Sequence, residues 1–533
     1  MAKTVAAARA IARRAFVDGR TRTLSFALLF GLVALVQVIG YRHSFPTLKD
    51  RLGFAQSFGN DKAVRLFYGV PHDLLTVGGY AAWRVAGVLT IFAAMWGLLA
   101  AVRALRAEEE AGRQELVLAG AVTRRTAYLA PLVAVAAGAA LLWLATFAGL
   151  FAGRLPAGGS AYLALVTVSP VPVFVGIGAL VSQLAPTRRM ALEISTVILG
   201  LTLALRVVAD TSSGLEWLRW ATPLGWAEEM RAFAGPRPGI IVLPLLASAL
   251  LLAVAGLIAV RRDVGNGLLT SRDSRAPRLR LLSSPAAQAL RAERGSLLGW
   301  LAGIGFFAVV FGLLSNTFAS AHLSASLKQQ LHRVGGASLV TPSGALGFYF
   351  LMFVLAIALF ACSQIAAVRR EEADQRLETL FALPVGRARW LGGRLVLAVL
   401  GSAALALAAG LLAWAGAASQ GVDVSLPDMI GAGANCLPAA LLFLALSALA
   451  FAVVPRVSAG IAYGLVSVTF LWELFGALLG APAWTLDFSP FHHVGLVPAQ
   501  PFKAAAAAAM LMIAAVAALL ALRVFQHRDI AGA

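Results

Sequence analysis

Twelve long apolar runs, separated by short polar stretches, set the pattern of this chain. Each run holds about 20 mostly apolar residues, the number that an α-helix needs to cross ~30 Å of hydrocarbon. The pattern predicts twelve transmembrane helices, near residues 24–41, 83–105, 127–152, 162–184, 190–209 and 239–260 in the first half and 298–316, 345–368, 392–416, 432–454, 458–479 and 503–523 in the second. Because six is an even number, both halves enter and leave on the same side, so the predicted repeat is parallel.

The composition agrees with an integral membrane protein. Of 533 residues, 60% are hydrophobic and only 13% are charged, about half the charged fraction of a soluble protein. The net charge of +19 comes from short arginine clusters beside the apolar runs, where basic residues mark cytoplasmic ends. This distribution argues against nucleic-acid binding and predicts that both termini are cytoplasmic. We expect an all-α polytopic membrane protein with halves at 1–262 and 297–533, joined by a cytoplasmic linker at 263–296.

The strongest repeat is a charged segment that occurs twice, at 106–124 and 369–387. The copies lie 263 positions apart, align without a gap, and each follows the second predicted span of its half. The coinciding residues are Arg106/Arg369, Glu108/Glu371, Glu109/Glu372, Arg113/Arg376, Glu115/Glu378, Ala119/Ala382, Val122/Val385 and Arg124/Arg387. We expect Glu109–Arg113 and its equivalent Glu372–Arg376 to form (i, i+4) pairs on a helix, with the acid on the N-terminal side.

These charged segments have two interpretations. A solvated amphipathic hairpin could merely connect two spans, and its ion pairs would then add only about 0.2–0.5 kcal/mol each. Alternatively, the segments are docking helices whose charged side chains fit grooves on a soluble partner. The repetition at equivalent places in both halves favours docking.

Other elements recur at nearly the same offset. They are a Ser/Thr-Pro element before the last span (221–224 and 488–491), an Arg-Asp-Val/Ile element after it (262–264 and 528–530), a proline turn between the fourth and fifth spans (Pro186 and Pro455), and a basic amphipathic stretch before the first span (6–20 and 286–299). We expect the amphipathic stretches to form helices in the plane of the membrane interface.

Charged side chains inside predicted spans are functional candidates, because a charge at the bilayer centre costs about 2.5–3.5 kcal/mol on insertion scales. Arg206 in the fifth span and Glu473 in the eleventh occupy near-equivalent positions. One hypothesis is an ion pair across the pseudo-two-fold axis that gates a central cavity. Alternatively, Arg206 snorkels outward and Glu473 finds a local partner. His492 and His493 have no carboxylate or cysteine at ligand spacing, so we expect no metal site.

Together these elements resemble the permease subunits of ABC-2 type exporters, most of all the fused twelve-span actinobacterial form associated with antibiotic or multidrug efflux, such as tetronasin-resistance-type permeases. The amphipathic N-terminal stretch, the E-E-x-x-x-R-x-E segments, the Ser/Thr-Pro element and the R-D-V/I element carry the resemblance. It implies a type V exporter-like fold, a bacterial plasma membrane location and coupling of the charged segments to an ATPase. The implied coupling residues are Glu108, Glu109, Arg113, Glu115, Glu371, Glu372, Arg376 and Glu378.

The resemblance also implies two copies of a separate ABC ATP-binding subunit, one per charged segment, which would bind ATP and Mg. This chain itself lacks the G-x-x-x-x-G-K-[ST] motif, and we expect no catalytic residue or cofactor in it. The implied activity is export of a hydrophobic or amphipathic compound by alternating access. One position departs from the repeat: Pro384 replaces Ala121, so we expect the second coupling helix to end earlier.

Two other functional classes are open. An ion-coupled secondary transporter would use carboxylates within the membrane, for which only Glu193 and Glu473 qualify, and it would leave the charged segments without a purpose. A polytopic membrane enzyme would need catalytic carboxylates or histidines in sizeable loops, whereas the predicted outer loops are short.

Overall fold

The structure is a computed structural model that describes residues 2–59, 62–120, 122–212, 214–265, 267–269, 285–320, 341–382, 384–475 and 482–529. Regular secondary structure within these residues is helical throughout. The chain forms two compact units, Met1–Ala276 and Pro277–Ala533. The division between them falls inside the polar linker 263–296.

Eleven helices within the described residues are long and apolar enough to cross a membrane, six in the first unit and five in the second. Leucines along them point outward, with Leu28 63% and Leu246 64% exposed, as lipid-facing side chains are. The predicted all-α polytopic membrane fold is therefore confirmed. The predicted span 458–479 begins in the helix Ser458–Phe475 and continues outside the described residues, so the count of twelve stays a prediction.

The first unit contains thirteen α-helices within its described residues. They are α1 (Ala2–Ser44), α2 (Leu48–Phe58), α3 (Lys62–Tyr68), α4 (Val77–Ala81), α5 (Gly87–Val102), α6 (Glu108–Glu110), α7 (Arg113–Leu118), α8 (Arg124–Ala152), α9 (Ala157–Val168), α10 (Pro170–Leu184), α11 (Arg188–Thr211), α12 (Pro223–Glu229) and α13 (Val242–Arg261). The π-helical turns Ala82–Ala86 and Arg103–Ala107 join α4, α5 and α6 into one long rod, whereas 3-10 turns, Glu216–Ala221 and Pro238–Ile241, precede α12 and α13.

The described residues of the second unit form nine α-helices. They are α14 (Pro285–Ser320), α15 (Pro342–Ala373), α16 (Arg376–Phe381), α17 (Arg387–Ala418), α18 (Leu426–Ala434), α19 (Leu437–Val453), α20 (Ser458–Phe475), α21 (Ala483–Leu486) and α22 (Ala504–His527). The long helix α15 is regular where its equivalent in the first unit carries two π-helical turns.

Glycines allow the first span of each unit to pack closely on the third. An ideal Cβ at Gly149 would lie 2.2 Å from the carbonyl oxygen of Gly31, and one at Gly416 would lie 3.0 Å from the Cα of Gly312. Such contacts leave no room for a side chain. Small residues at helix interfaces are the usual means of close packing within a membrane, and in both units these residues are glycines.

The fourth span of each unit is broken by a proline. In the first unit α9 ends at Val168 and α10 begins at Pro170; in the second, Pro438 is the second residue of α19. Proline cannot donate the backbone hydrogen bond that would continue the helix. In the second unit Asn435 at the break donates a side-chain hydrogen bond of 2.7 Å to the carbonyl oxygen of Gly495.

The amphipathic stretches expected to form separate interfacial helices differ from that expectation. Residues 6–20 belong to the single helix Ala2–Ser44, and residues 286–299 belong to Pro285–Ser320. Neither stretch contains a proline, and the helix continues from each directly into its span. Each stretch therefore extends the first span of its unit rather than preceding it as a separate element.

Candidate functional site

The two charged segments, 106–124 and 369–387, share the same order of helix, turn and short helix within their described residues. In each, a long helix ends just after the glutamate pair and a short helix, Arg113–Leu118 or Arg376–Phe381, begins after a sharp turn. The turn residues have left-handed backbone angles, with φ of 71° at Gly112 and 58° at Gln375. A left-handed residue cannot continue a right-handed helix, so the glutamates and the following arginine lie on different helices.

This turn makes the expected (i, i+4) pairs wrong. Arg113 instead forms a bidentate pair with Glu108, with N–O distances of 2.8 and 2.6 Å. Arg376 is exposed and lies 3.6 Å from Asp374. The (i, i+4) rule requires an unbroken helix, and Gly112 and Gln375 break it in both copies.

The expected early end of the second short helix is also wrong. The helix Arg113–Leu118 and the helix Arg376–Phe381 have the same length and stop at equivalent positions of the repeat. Pro384 lies three residues beyond Phe381, where its missing N–H removes no helical hydrogen bond.

The second glutamate of each pair is buried and binds a distant arginine. Glu109 accepts a 2.6 Å hydrogen bond from Nη1 of Arg262, and Glu372 accepts one of 2.5 Å from Nη2 of Arg528. The side chains of Glu109 and Glu372 are only 2% and 0% exposed. We call Glu109–Arg262 and Glu372–Arg528 the twin ion pairs. They join two repeats that look unrelated in the sequence: the charged segment and the Arg-Asp-Val/Ile element after the last span.

Because the twin ion pairs are buried, removing either partner is expected to destabilise the fold strongly. Removing one partner of a buried pair leaves an unpaired charge and costs about 3–5 kcal/mol. In the first unit the carboxylate of Glu109 also accepts a 2.7 Å hydrogen bond from the backbone N–H of Gly265 and lies 3.2 Å from Nη1 of Arg106. The charged segment is thereby fixed to the end of α13.

A second pair of equivalent contacts binds the far end of each charged segment to the same helix end. Arg124 donates to the carbonyl oxygens of Val260 and Arg262, both at 3.0 Å. Arg387 donates to the carbonyl oxygen of Arg528 at 2.7 Å. The last carbonyls of a helix have no partner within it and attract positive charge. Each charged segment therefore holds the end of its unit's last helix from two sides.

A third pair of contacts reaches the proline turn between the fourth and fifth spans. Arg106 donates to the carbonyl oxygen of Pro186, and Arg369 donates to that of Pro455 at 3.0 Å. Three elements thus meet at each charged segment: the end of the second span, the turn after the fourth, and the end of the sixth. A displacement of the segment would be passed directly to all three.

The short helices present an exposed face. Glu115 and Glu378 are both exposed, and Leu116 beside Glu115 is 77% exposed. By contrast, Glu371 is occupied within the fold, since Arg394 donates to both of its carboxylate oxygens at 2.6 Å. Of the expected coupling residues, Glu115 and Glu378 are therefore free to meet a partner, whereas the first glutamates are already paired.

Comparison with known proteins identifies the family of the chain. The family described as "Multidrug efflux system permease Rv1217c, C-terminal domain" matches residues 56–261 and 282–526. The chain is also 31% identical over 503 residues to "Multidrug efflux system permease protein Rv1217c" of Mycobacterium tuberculosis (strain ATCC 25618 / H37Rv), covering 93% of this chain and 90% of that protein.

The chain belongs to this family of multidrug efflux permeases. The resemblance to an ABC-2 type multidrug exporter permease is thus confirmed, and both units of the fold are covered by the family match.

In this permease each of the two charged candidates within the spans has a partner in its own unit. Nε of Arg206 lies 3.3 Å from Asp210 and 3.4 Å from Glu228. Glu473 contacts Nδ1 of His492 at 3.1 Å. The ion pair between Arg206 and Glu473 stays a prediction. No group of three or more metal-ligating residues occurs within the described residues, which include both adjacent histidines.

A buried charge cluster around Arg206 was missed by sequence reasoning. Arg219 binds Asp210 at 2.8 Å, and Glu228 accepts a 2.5 Å hydrogen bond from the backbone N–H of Val70. Burial raises the pKa of Glu228 to about 7, and nearby Arg206 opposes part of this rise. Two signals in the sequence pointed to it: a buried Arg206 needs an acidic partner, and Asp210 stands at the (i, i+4) position from Arg206.

Proposed function

We propose that this permease is the membrane subunit of an ATP-driven exporter, with the two charged segments as its coupling helices. The observation that carries the proposal is the duplicated arrangement of an exposed short helix backed by a buried ion pair. A connecting hairpin would need neither the twin ion pairs nor the contacts to three separate elements. A coupling helix needs both, because a displacement of its exposed surface must be passed to the spans through rigid contacts.

In this mechanism Glu115 and Glu378 meet one ATP-binding subunit each. Closure of the two subunits on ATP displaces the short helices, and the rigid contacts behind them move the ends of the second, fourth and sixth spans. The carboxylate of Glu109 or Glu372 transmits the displacement to the last helix. The permease then alternates between inward- and outward-facing states, whose populations ATP binding shifts.

The cargo fits a hydrophobic or amphipathic compound. The described spans of both units carry few charges, and Arg206 within the fifth span is paired with Asp210 and Glu228. The relative from Mycobacterium tuberculosis is named for multidrug efflux, and we assign drug or antibiotic export to this chain by that similarity. In the proposed orientation the charged segments and both termini face the cytoplasm, since the arginine clusters lie at that end.

Purification of the permease together with its ATP-binding subunit would test this proposal. We expect two ATP-binding subunits per chain, lost when Glu115 and Glu378 are both changed to arginine. A matched control is Glu216→Arg, because Glu216 is equally exposed but follows the far end of α11. The control should keep both subunits.

Transport in vesicles separates the proposal from an ion-coupled carrier. Efflux driven by ATP in the absence of a proton gradient is the expected result. A permease that purifies alone and whose transport stops only when the proton gradient collapses would overturn the proposal.

A further inference from the structure

A cavity of about 290 Å³ lies in the first unit, at the end of the spans that carries the charged segment. Its walls come from α1, α5, α8, the beginning of α11 and the charged segment itself, whose Gln114 and Val117 line it. The volume is close to that of small-molecule sites in proteins, which begin at about 300 Å³. Neither the twin ion pairs nor the exposed glutamates use this space.

The charged residues that line the cavity are predominantly basic. They comprise five arginines, Arg14, Arg22, Arg103, Arg113 and Arg188, against two acids, Asp18 and Glu108. Both acids are already engaged, since Asp18 lies 3.8 Å from Arg14 and Glu108 lies 2.6 Å from Arg113.

Three further arginines around the cavity form no direct ion pair, and the carboxylate of Glu110 beside them binds the backbone N–H of Arg188 rather than its guanidinium. Among the residues that the structure describes, no carboxylate lies within ion-pair distance of the side chains of Arg22, Arg103 or Arg188. The three come from α1, a π-helical turn and the first residue of α11. Arginines from three elements around one cavity suit a phosphate, because the planar guanidinium matches its oxygen atoms.

The rest of the cavity is apolar. Phe26, Trp96, Leu99 and Val135 line it, and Leu99 is 43% exposed. The site thus joins a cationic rim, at the end of the spans, to an apolar interior beside them. Basic pockets of this kind between transmembrane helices suit the headgroups of anionic lipids.

A cavity of the second unit has a different lining. Its cavity of about 600 Å³ is lined by α14 and α15, with Trp300, Phe307, Phe311 and Met352 among its walls. No charged residue lines that cavity. The arginines therefore distinguish the cavity of the first unit from this apolar cavity.

We propose that the cavity of the first unit binds an anionic phospholipid. Its phosphate is held by Arg22, Arg103 and Arg188, and one acyl chain lies against Phe26, Trp96 and Leu99. The bound lipid contacts both α1 and the first charged segment, so it stabilises the position of that segment in the fold. The binding itself does not depend on the function proposed above and is measured without transport.

Lipid titration of the purified, delipidated full-length permease tests the site. Fluorescent short-chain phosphatidylglycerol should bind, and phosphatidylcholine of the same chain length should bind far more weakly. Replacing Arg22 and Arg103 together by glutamine should weaken phosphatidylglycerol binding roughly thirtyfold, because each arginine near an anionic headgroup contributes about a factor of five. The matched control replaces Arg9 and Arg125, which are exposed and do not line the cavity, and should leave binding unchanged.

A second variant tests the acyl-chain half of the site. Leu99→Trp fills the apolar interior and should weaken phosphatidylglycerol binding while all three arginines remain. Elution as a single peak with an unchanged helical circular dichroism signal establishes that each variant is folded. Equal binding of the two lipids, full affinity in the double arginine variant, or equally tight binding of glycerol phosphate alone would each overturn the proposal.

Discussion

The two charged segments have the same backbone and the same buried pairing, but they depend on that pairing differently. In the first unit the carboxylate of Glu109 lies between two arginines, Arg106 and Arg262. Each arginine also has neutral contacts: Arg262 donates to Oε1 of Gln183 at 2.9 Å, and Arg528 donates to the carbonyl oxygen of Phe451 at 2.7 Å and packs on two aromatic rings. The junction between charged segment and last helix therefore joins two arginines to one carboxylate in the first unit, and in the second unit it adds aromatic contacts to its arginine.

Neutralising each carboxylate gives the largest expected difference between the copies. Glu109→Gln leaves two buried arginines without their acid and should destabilise the first unit by about 3–5 kcal/mol. Glu372→Gln should cost less, because Arg528 keeps its carbonyl and aromatic contacts. Thermal unfolding of the two purified variants, followed by intrinsic fluorescence, measures the difference.

A charge exchange is the control for this comparison. The double variant Glu109→Arg with Arg262→Glu restores one acid–base pair beside Arg106 and should be more stable than Glu109→Arg or Arg262→Glu alone. A double variant no better than the singles would show that the position matters through packing alone. Equal losses in Glu109→Gln and Glu372→Gln would contradict the proposed difference between the two junctions.

Docking of the ATP-binding subunits provides the next largest contrast. Glu115→Arg or Glu378→Arg alone should weaken one site about tenfold or more and reduce the co-purified subunits from two per chain to one. The first segment also exposes Leu116, where the second has Thr379. Leu116→Thr should therefore weaken only the first site. Loss of both subunits on changing a single segment would show that the two sites are not independent.

The sequence reveals both repeated elements that form the twin ion pairs, but not the contact between them. Both the charged segment and the Arg-Asp-Val/Ile element stood out as repeats, since repetition is visible along a single chain. Their pairing was not visible, because Glu109 and Arg262 are 153 residues apart and a single sequence carries no distance information. Instead, the helical period assigned Glu109 the wrong partner.

The two turns that interrupt the expected (i, i+4) helices are not equally visible in the sequence. Gly112 is a sequence signal for a left-handed turn, whereas Gln375 at the equivalent position is not. The cluster of Asp210, Arg219 and Glu228 was missed for a related reason. Asp210 lies on the last turn of α11, four residues after Arg206, whereas Arg219 and Glu228 lie on later elements that only the fold brings to it.

The contacts of Arg124 and Arg387 predict a smaller difference. Each donates to carbonyl oxygens at the end of its unit's last helix, but Arg387 is also placed over the ring of Phe381, 5.9 Å from its centroid. Arg124→Gln and Arg387→Gln should each cost about 1 kcal/mol, with the larger loss in the second unit. Hydrogen exchange of 255–262 and 521–528 should rise in the matching variant only.

The smallest predicted effect concerns pH at the opposite end of the first unit. Burial raises the pKa of Glu228 to about 7, well above its value in an unfolded chain. The folded state therefore prefers the neutral carboxyl, and its stabilisation is complete below pH ~4.5 and is lost as the pH rises through about 7. Arg206, Asp210, Arg219 and the N–H of Val70 are the groups that face this carboxyl.

Hydrogen exchange of the helix Pro223–Glu229 tests this sign. After correction for the intrinsic pH dependence of exchange, opening of this helix should be more frequent at pH 8 than at pH 6, and Glu228→Gln should remove the difference. In the equivalent outer segment of the second unit, 488–494, His492 contacts Glu473 of α20 instead. A pH response that persists in Glu228→Gln would show that a group other than Glu228 causes it.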